Sequence, residues 1–242
     1  MPGSDNISIP YVSAILQSLR PSSALDVGIG MGKFGFIFRE ACEWSRIFED
    51  STACISKENW HSRLDGVEVC PAYITPLQRY LYNEIFVGPA QEIVARLGHY
   101  DLVFLGDVIE HFEKSEGQRL LDILFEKARL GILVVTPVGE YKQDGIEGNP
   151  YEKHLSVWSP ADLRRFPYIW ACKAAKRQWV IFIACESHWL RDPNMRRMTK
   201  AWRLRSGMCR KRLKKIFRTL FGEKGLELLI KIKRRLEGVK DE

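Results

Sequence analysis

The sequence predicts an α/β fold, a doubly wound and mostly parallel sheet of seven strands with an antiparallel hairpin at one edge and a basic helical appendage behind it. Three observations carry this expectation. Short apolar runs of strand length alternate with segments of helical period over residues 11–187, the pattern of a parallel sheet covered by helices. The first run enters a turn with glycines at 28, 30 and 32 and leaves it in a helical stripe of Phe34, Ile37, Phe38 and Ala41. Two late runs, 170–175 and 179–186, are joined by a short basic turn and read as a hairpin, the usual antiparallel addition to such a sheet.

Each element follows in order. Pro10 suits the first turn of a helix over about 11–19. Strands are expected at 24–27, 65–69, 84–88, 100–106 and 131–137. Between the second and third, Tyr73, Leu77, Tyr80 and Leu81 share a helical face, and Leu121, Leu124, Phe125 and Ala128 do so between the fourth and fifth. Ser159-Pro-Ala-Asp162 has the cap, the proline and the acid that start a helix. Residues 138–158 form a long polar connection carrying Tyr141, Lys142, Asp144, Tyr151 and His154, and a loop of that length in a compact domain is most often functional.

The glycine turn satisfies two fingerprints. Gly30-Met-Gly32-Lys-Phe-Gly35 fits the dinucleotide-binding pattern, but the acids about twenty residues on, in Ser45-Arg-Ile-Phe-Glu-Asp50, follow no strand. The next strand instead closes on Glu68. Asp26-Val-Gly28-Ile-Gly30-Met-Gly32 with Glu68 after it resembles the class I S-adenosylmethionine-dependent methyltransferases, which have a Rossmann-like sheet. Asp107-Val-Ile-Glu110-His111 after the fourth strand is similar to the same position in their small-molecule members, including the ubiquinone-pathway O-methyltransferases, and residues 154–163 look like the family's segment after the fifth.

The resemblance implies S-adenosyl-L-methionine as cofactor and assigns its contacts. Gly28, Gly30 and Gly32 let the backbone approach it, and Asp26 orients its amino acid end directly or through water. Glu68 accepts the two ribose hydroxyls, since a carboxylate offers two acceptor oxygens to a vicinal diol. Asp107 and Val108 lie beside the methionine part and the adenine face. Many relatives carry an acid for the adenine amine where this chain has Pro89, which has no side-chain acceptor, so the neighbourhood of Ala90 and Gln91 is left to make that contact.

For the reaction, His111 is the first candidate general base, with Glu110 to orient it or to face the substrate, and His154 is the second. Trp60 and His61, in a long connection before the second strand, either cover the cofactor or pack on the sheet. The Asn/Asp-Pro-Pro-aromatic turn of amine-methylating relatives is absent, as is a Pro-Cys nucleophile, which favours O-methylation of a small-molecule, sugar (glycan) or lipid-linked acceptor. The six cysteines have no metal-ligand spacing, and no metal is expected.

Charge divides the chain. Residues 188–242 hold 18 Lys/Arg against 6 Asp/Glu, leaving 19 against 24 in residues 1–187, so the expected organisation is a methyltransferase domain over 1–187 and a basic amphipathic tail over 188–242. In the tail, Leu213, Ile216, Phe217, Leu220 and Phe221 make one apolar stripe, and Leu226, Leu229, Ile230, Ile232 and Leu236 make another. Residues 210–236 can pack as a helical hairpin or against a second subunit, giving a homo-oligomer; they can lie on an anionic membrane surface; with less weight, they can contact RNA phosphates, making the chain an RNA methyltransferase. A non-catalytic S-adenosylmethionine-binding scaffold is the remaining reading. No apolar run reaches the ~20 residues that span a bilayer and no leader pattern opens the chain, so a cytoplasmic protein, membrane-associated at the inner face if the tail binds lipid, is expected.

Overall fold

The computed structural model describes residues 5–44, 57–145, 149–193 and 195–196. The chain divides into two units, Met1–Met198 and Thr199–Glu242, and the second lies outside the described residues. Strands β1 (Ser23–Val27), β2 (Arg63–Glu68), β3 (Glu84–Val87), β4 (Tyr100–Gly106), β5 (Ala128–Pro137), β6 (Tyr168–Ala174) and β7 (Gln178–Ala184) form one sheet in the order β3-β2-β1-β4-β5-β7-β6. Only β7 runs antiparallel, pairing with β5 on one side and β6 on the other. Positive φ at Ala175 and Lys176 closes that hairpin tightly.

The central strands are apolar almost throughout because both faces of the sheet are covered. Alternation still sorts their side chains. Leu25, Val103, Ile132 and Ile183 lie opposite one another across β1, β4, β5 and β7, as do Val27, Leu105, Val134 and Ile181. Both rows are fully buried together with Leu120, Leu121 and Leu124 of helix α5 (Lys114–Lys127). The opposite face, with Ala24, Leu102 and Phe104, meets Val12 and Leu16 of α1 (Ile9–Leu19) and Phe34 and Phe38 of α2 (Lys33–Arg39) around a void of about 20 Å³.

Strand order departs in both directions from β1 and β4, so the crevice beyond their carboxyl ends is the topological switch point of the sheet. Three elements differ from expectation. Helix α3 (Pro76–Leu81) buries Gln78 and Leu81, while Leu77 and Tyr80 are 53% and 51% exposed and Tyr73 belongs to a separate turn, so the expected shared face is not formed. A six-residue helix is too short for periodicity to be a strong signal, and the Thr75–Gln78 capping box decides its orientation instead. Ala128 begins β5 rather than ending the preceding helix. The Ser159–Asp162 box is made as expected but opens only a 3₁₀ turn, Pro160–Leu163. Helix α4 (Ala90–Arg96) completes the described α-helices and begins directly after Pro89.

Candidate active site

A cleft of about 1140 Å³ opens at the switch point. The loop after β1 forms its floor. Gly28 has φ 77°, and a Cβ there would stand 2.4 Å from Val108 Cγ2, so only glycine lets this turn pass beneath the end of β4. Gly30 has φ 47° and faces open space at the cleft, leaving its backbone available for close approach of a ligand. Its amide donates to Glu68 Oε2 at 2.9 Å, and its carbonyl accepts from Gln78 Nε2 at 2.8 Å. Gln78, which the sequence reading did not single out, therefore pins the loop from below while also donating to the Tyr73 carbonyl. Its signal was the capping box, which reads as a helix start and not as support for a site.

Glu68 lines the cleft at the end of β2, and its other oxygen, Oε1, accepts from the Cys70 amide at 2.9 Å. Burial lifts its carboxyl above the ordinary range, partly offset by the Cys70 and Gly30 amides. The Gly30 and Cys70 amides, with Val69 also favouring the charged form, leave lone pairs on the carboxylate that a vicinal diol can use in addition to the loop contacts.

Two expected cofactor residues do not line the cleft. Asp26 is buried behind the cleft lining and accepts from Tyr82 Oη at 2.5 Å. Burial pushes its carboxyl up to about 7, although the Tyr82 bond pulls the other way. A Cβ at Gly35 would stand 2.4 Å from Tyr82 Oη, so that glycine makes room for the phenol. Gly32, with φ 77°, caps α2 and stays beneath the loop. Both residues shape the turn whose upper surface Gly28 and Gly30 present.

Asp107, Val108, Glu110 and His111 enter the cleft from the end of β4, as expected. Asp107 adopts φ 54°, a left-handed conformation that Asp tolerates better than most residues, and both its oxygens accept from Gln178 Nε2 at 2.9 Å. Glu110 does not orient His111. Its Oε2 accepts from Thr136 Oγ1 at 3.1 Å, and burial holds its carboxyl well above the ordinary range, with Asp107 adding to the shift. His111 is instead held by the Lys153 carbonyl, 3.1 Å from Nδ1. Gly88, Pro89, Ala90 and Gln91 line the side where an adenine amine contact was expected.

The long connection after β5 folds over this cluster. The Leu155 and Ser156 amides donate to the Glu110 carbonyl at 2.8 and 3.0 Å, and the buried Trp158 donates from Nε1 to the Ile109 carbonyl at 3.0 Å. These contacts deliver His154 to His111, with ring centroids 4.8 Å apart. His154 Nδ1 lies 2.7 Å from the Tyr141 carbonyl, and burial lowers the imidazole pKa. Tyr141, Tyr151 and His154 line the cleft; Lys142 and Asp144 do not. Trp60 and His61 do not line it either. Trp60 packs with its ring 4.1 Å from the Arg39 guanidinium carbon, which is the packing alternative.

No protein-family model matches this sequence, and no curated protein matches it. Among solved structures, the N-terminal domain of EvdMO1, determined in the presence of SAH and D-fucose, superposes with a TM-score of 0.50 at 15% identity, covering 75% of this chain and 84% of that one. The methyltransferase domain of bacterial CtHen1 covers 73% of this chain and 97% of its own at 19% identity, TM-score 0.45. Magnesium protoporphyrin IX methyltransferase from Synechocystis, with bound SAH, covers 72% and 80% at 14% identity, TM-score 0.45. The sheet order, the glycine turn after β1 and the likeness to the EvdMO1 domain define the fold as the Rossmann-like fold of class I methyltransferases.

Proposed function

We propose that this chain is an S-adenosylmethionine-dependent methyltransferase that acts on a hydroxyl of a small-molecule, sugar or lipid-linked acceptor. The observation that carries the reading is the coupling of the glycine loop to Glu68, with Gly30 bonded to that carboxylate and open to the cleft. A cofactor with a ribose diol and a backbone-hugging amino acid end suits this floor. Bound there, the cofactor supplies a methyl group already activated on a sulfonium. Glu68 would accept the ribose hydroxyls, while Val108 and the segment from Gly88 to Gln91 would bound the adenine.

At about 1140 Å³ the cleft exceeds the roughly 300–1,000 Å³ of common single-ligand sites, which leaves room for an acceptor beside the cofactor. Its far wall holds two imidazoles with Nδ1 tied to backbone carbonyls, so Nε2 of each is the nitrogen available to a hydroxyl. That polar pair, in place of an amine-binding turn, favours an oxygen acceptor.

Calorimetry with S-adenosylhomocysteine and with NADH tests the cofactor. Binding of the former, weakened about tenfold or more in Glu68→Gln by loss of charge-assisted hydrogen bonds, is expected. Tight NADH binding without S-adenosylhomocysteine binding would overturn the reading. A cell-extract screen with methyl-labelled cofactor then tests turnover, and an intact protein that binds cofactor but labels no acceptor would be a scaffold.

A further inference from the structure

Glu110, His111 and His154 stand in a geometry that acid–base chemistry does not require. Glu110 is 2% exposed, and although Oε2 is bonded to Thr136, Oε1 is buried with no hydrogen-bond partner among the described residues. Buried polar atoms are nearly always satisfied, so an oxygen of this kind points to a proton, a water or an ion held beside it. One donor atom from each of the three residues lies within 4.8 Å of the others.

The two histidines are prepared in the same way. His111 Nδ1 is 3.1 Å from the Lys153 carbonyl and His154 Nδ1 is 2.7 Å from that of Tyr141. A carbonyl can only accept, so Nδ1 carries the proton in both rings and each Nε2 keeps its lone pair. A backbone carbonyl behind the distal nitrogen is how metal-ligating imidazoles are oriented. Two imidazole lone pairs beside a buried carboxyl, whose proton a bound cation would displace, make a set of ligand atoms within reach of one ion.

We propose that Glu110, His111 and His154 bind a divalent transition-metal cation of the Zn²⁺ or Mn²⁺ type, with its remaining coordination positions facing the cleft. Two nitrogens and one oxygen suit such ions better than Ca²⁺ or Mg²⁺, which prefer all-oxygen shells. Metal–ligand distances of about 2.0–2.2 Å require the donors to draw in by roughly an ångström. His154 sits on the connection after β5, which supplies that adjustment. The sequence expectation of no metal considered cysteine spacing and treated the two histidines, 43 positions apart in the chain, as separate candidates.

The role of the cation rests on the methyltransferase reading, whereas its binding does not. An acceptor hydroxyl bound to it would lose its proton to water at lower pH than a free alcohol. The oxygen then forms its bond to the methyl carbon as the sulfonium–carbon bond breaks, and the electron pair returns to sulfur to leave neutral S-adenosylhomocysteine.

Full-length protein treated with a chelator and dialysed would be titrated with ZnCl₂ and with MnCl₂ by calorimetry, and bound Mn²⁺ followed by loss of its aqueous paramagnetic signal. The expected result is one site in the wild type, weakened at least tenfold in His154→Ala and in Glu110→Gln. His154 is part-exposed, so its variant should keep its fold and its S-adenosylhomocysteine binding, which guards against unfolding of Glu110→Gln. No binding of either cation by the wild type, or equal binding by wild type and His154→Ala, would overturn the site. Metal binding without S-adenosylhomocysteine binding would remove the methyltransferase role and leave the site standing; the reverse would remove the site alone.

Discussion

Asp26 closes the first strand with its carboxyl enclosed beside Tyr82, and that enclosure makes folding stability depend on pH. Burial raises its pKa from 3.8 to about 7, so between those values the folded chain holds a proton that the unfolded chain releases. Stability from this group is therefore present in full below pH 4, falls as pH rises through 7, and is flat above. Asp26→Asn, which mimics the protonated form, should gain stability relative to wild type between pH 5 and pH 8, by about 2.6 kcal/mol as an upper bound, since only the span from pH 5 to the raised value of about 7 contributes. Thermal unfolding of both proteins at the two pH values measures it. An identical difference at both would show that Asp26 is ionised in the fold. Glu68 and Glu110 shift in the same direction, so only the comparison with the variant isolates Asp26.

At the scale of elements, the connection from β5 to β6 decides what the cleft can do. It returns to the sheet through Trp158, whose indole donates to Ile109 and Ser156 while its ring fills the space left by Gly117. Trp158→Phe keeps most of the apolar contact but leaves the Ile109 carbonyl with the Phe112 amide alone, at a cost of about 1 kcal/mol. Because the glycine loop and Glu68 belong to other elements, S-adenosylhomocysteine affinity should be unchanged while the KM for acceptor rises. Urea unfolding, calorimetry and steady-state kinetics separate the three quantities. An unchanged KM alongside lost stability would mean that the connection is structural only.

The whole molecule is electrostatically divided, with its excess of cations after residue 187. The described chain continues past that point as part of the first unit: Ser18 Oγ donates to Asp192 Oδ1 at 3.0 Å, and Met195 is buried. A truncation that tests the tail is therefore best placed after Met198, where the two units divide. The amphipathic stripes of 210–236 lie outside the described residues, and among the described ones no helix is long and apolar enough to cross a membrane. If the tail binds anionic lipid, the full chain should float with anionic vesicles and detach at high salt, where a Debye length of about 8 Å at physiological ionic strength shortens further. The truncated protein should stay behind yet bind S-adenosylhomocysteine. A salt-sensitive complex with bulk RNA, lost on truncation with no vesicle binding by either protein, would replace lipid with nucleic acid.

The mostly parallel seven-stranded sheet with its late antiparallel hairpin, and the glycine turn that floors the cleft, were legible in the sequence by itself because they depend on local signals, whereas the order of the strands came only from the structure. Continuous apolar runs mark strands buried on both faces, and glycines at 28 and 30 mark backbone that has to approach a ligand. The same signals singled out His111 and His154 one at a time. Their meeting was not legible, since it depends on Trp158 and the Glu110 carbonyl drawing a long connection back over the end of β4. Nor could a motif tell that Asp26 turns to Tyr82 while Glu68 faces the cleft. That choice is made by which side chains fill the space between sheet and helices, and by where a buried carboxyl finds its donor. Local pattern thus determined the fold and the floor of the site; packing between residues distant in the chain decided which polar groups face the ligand.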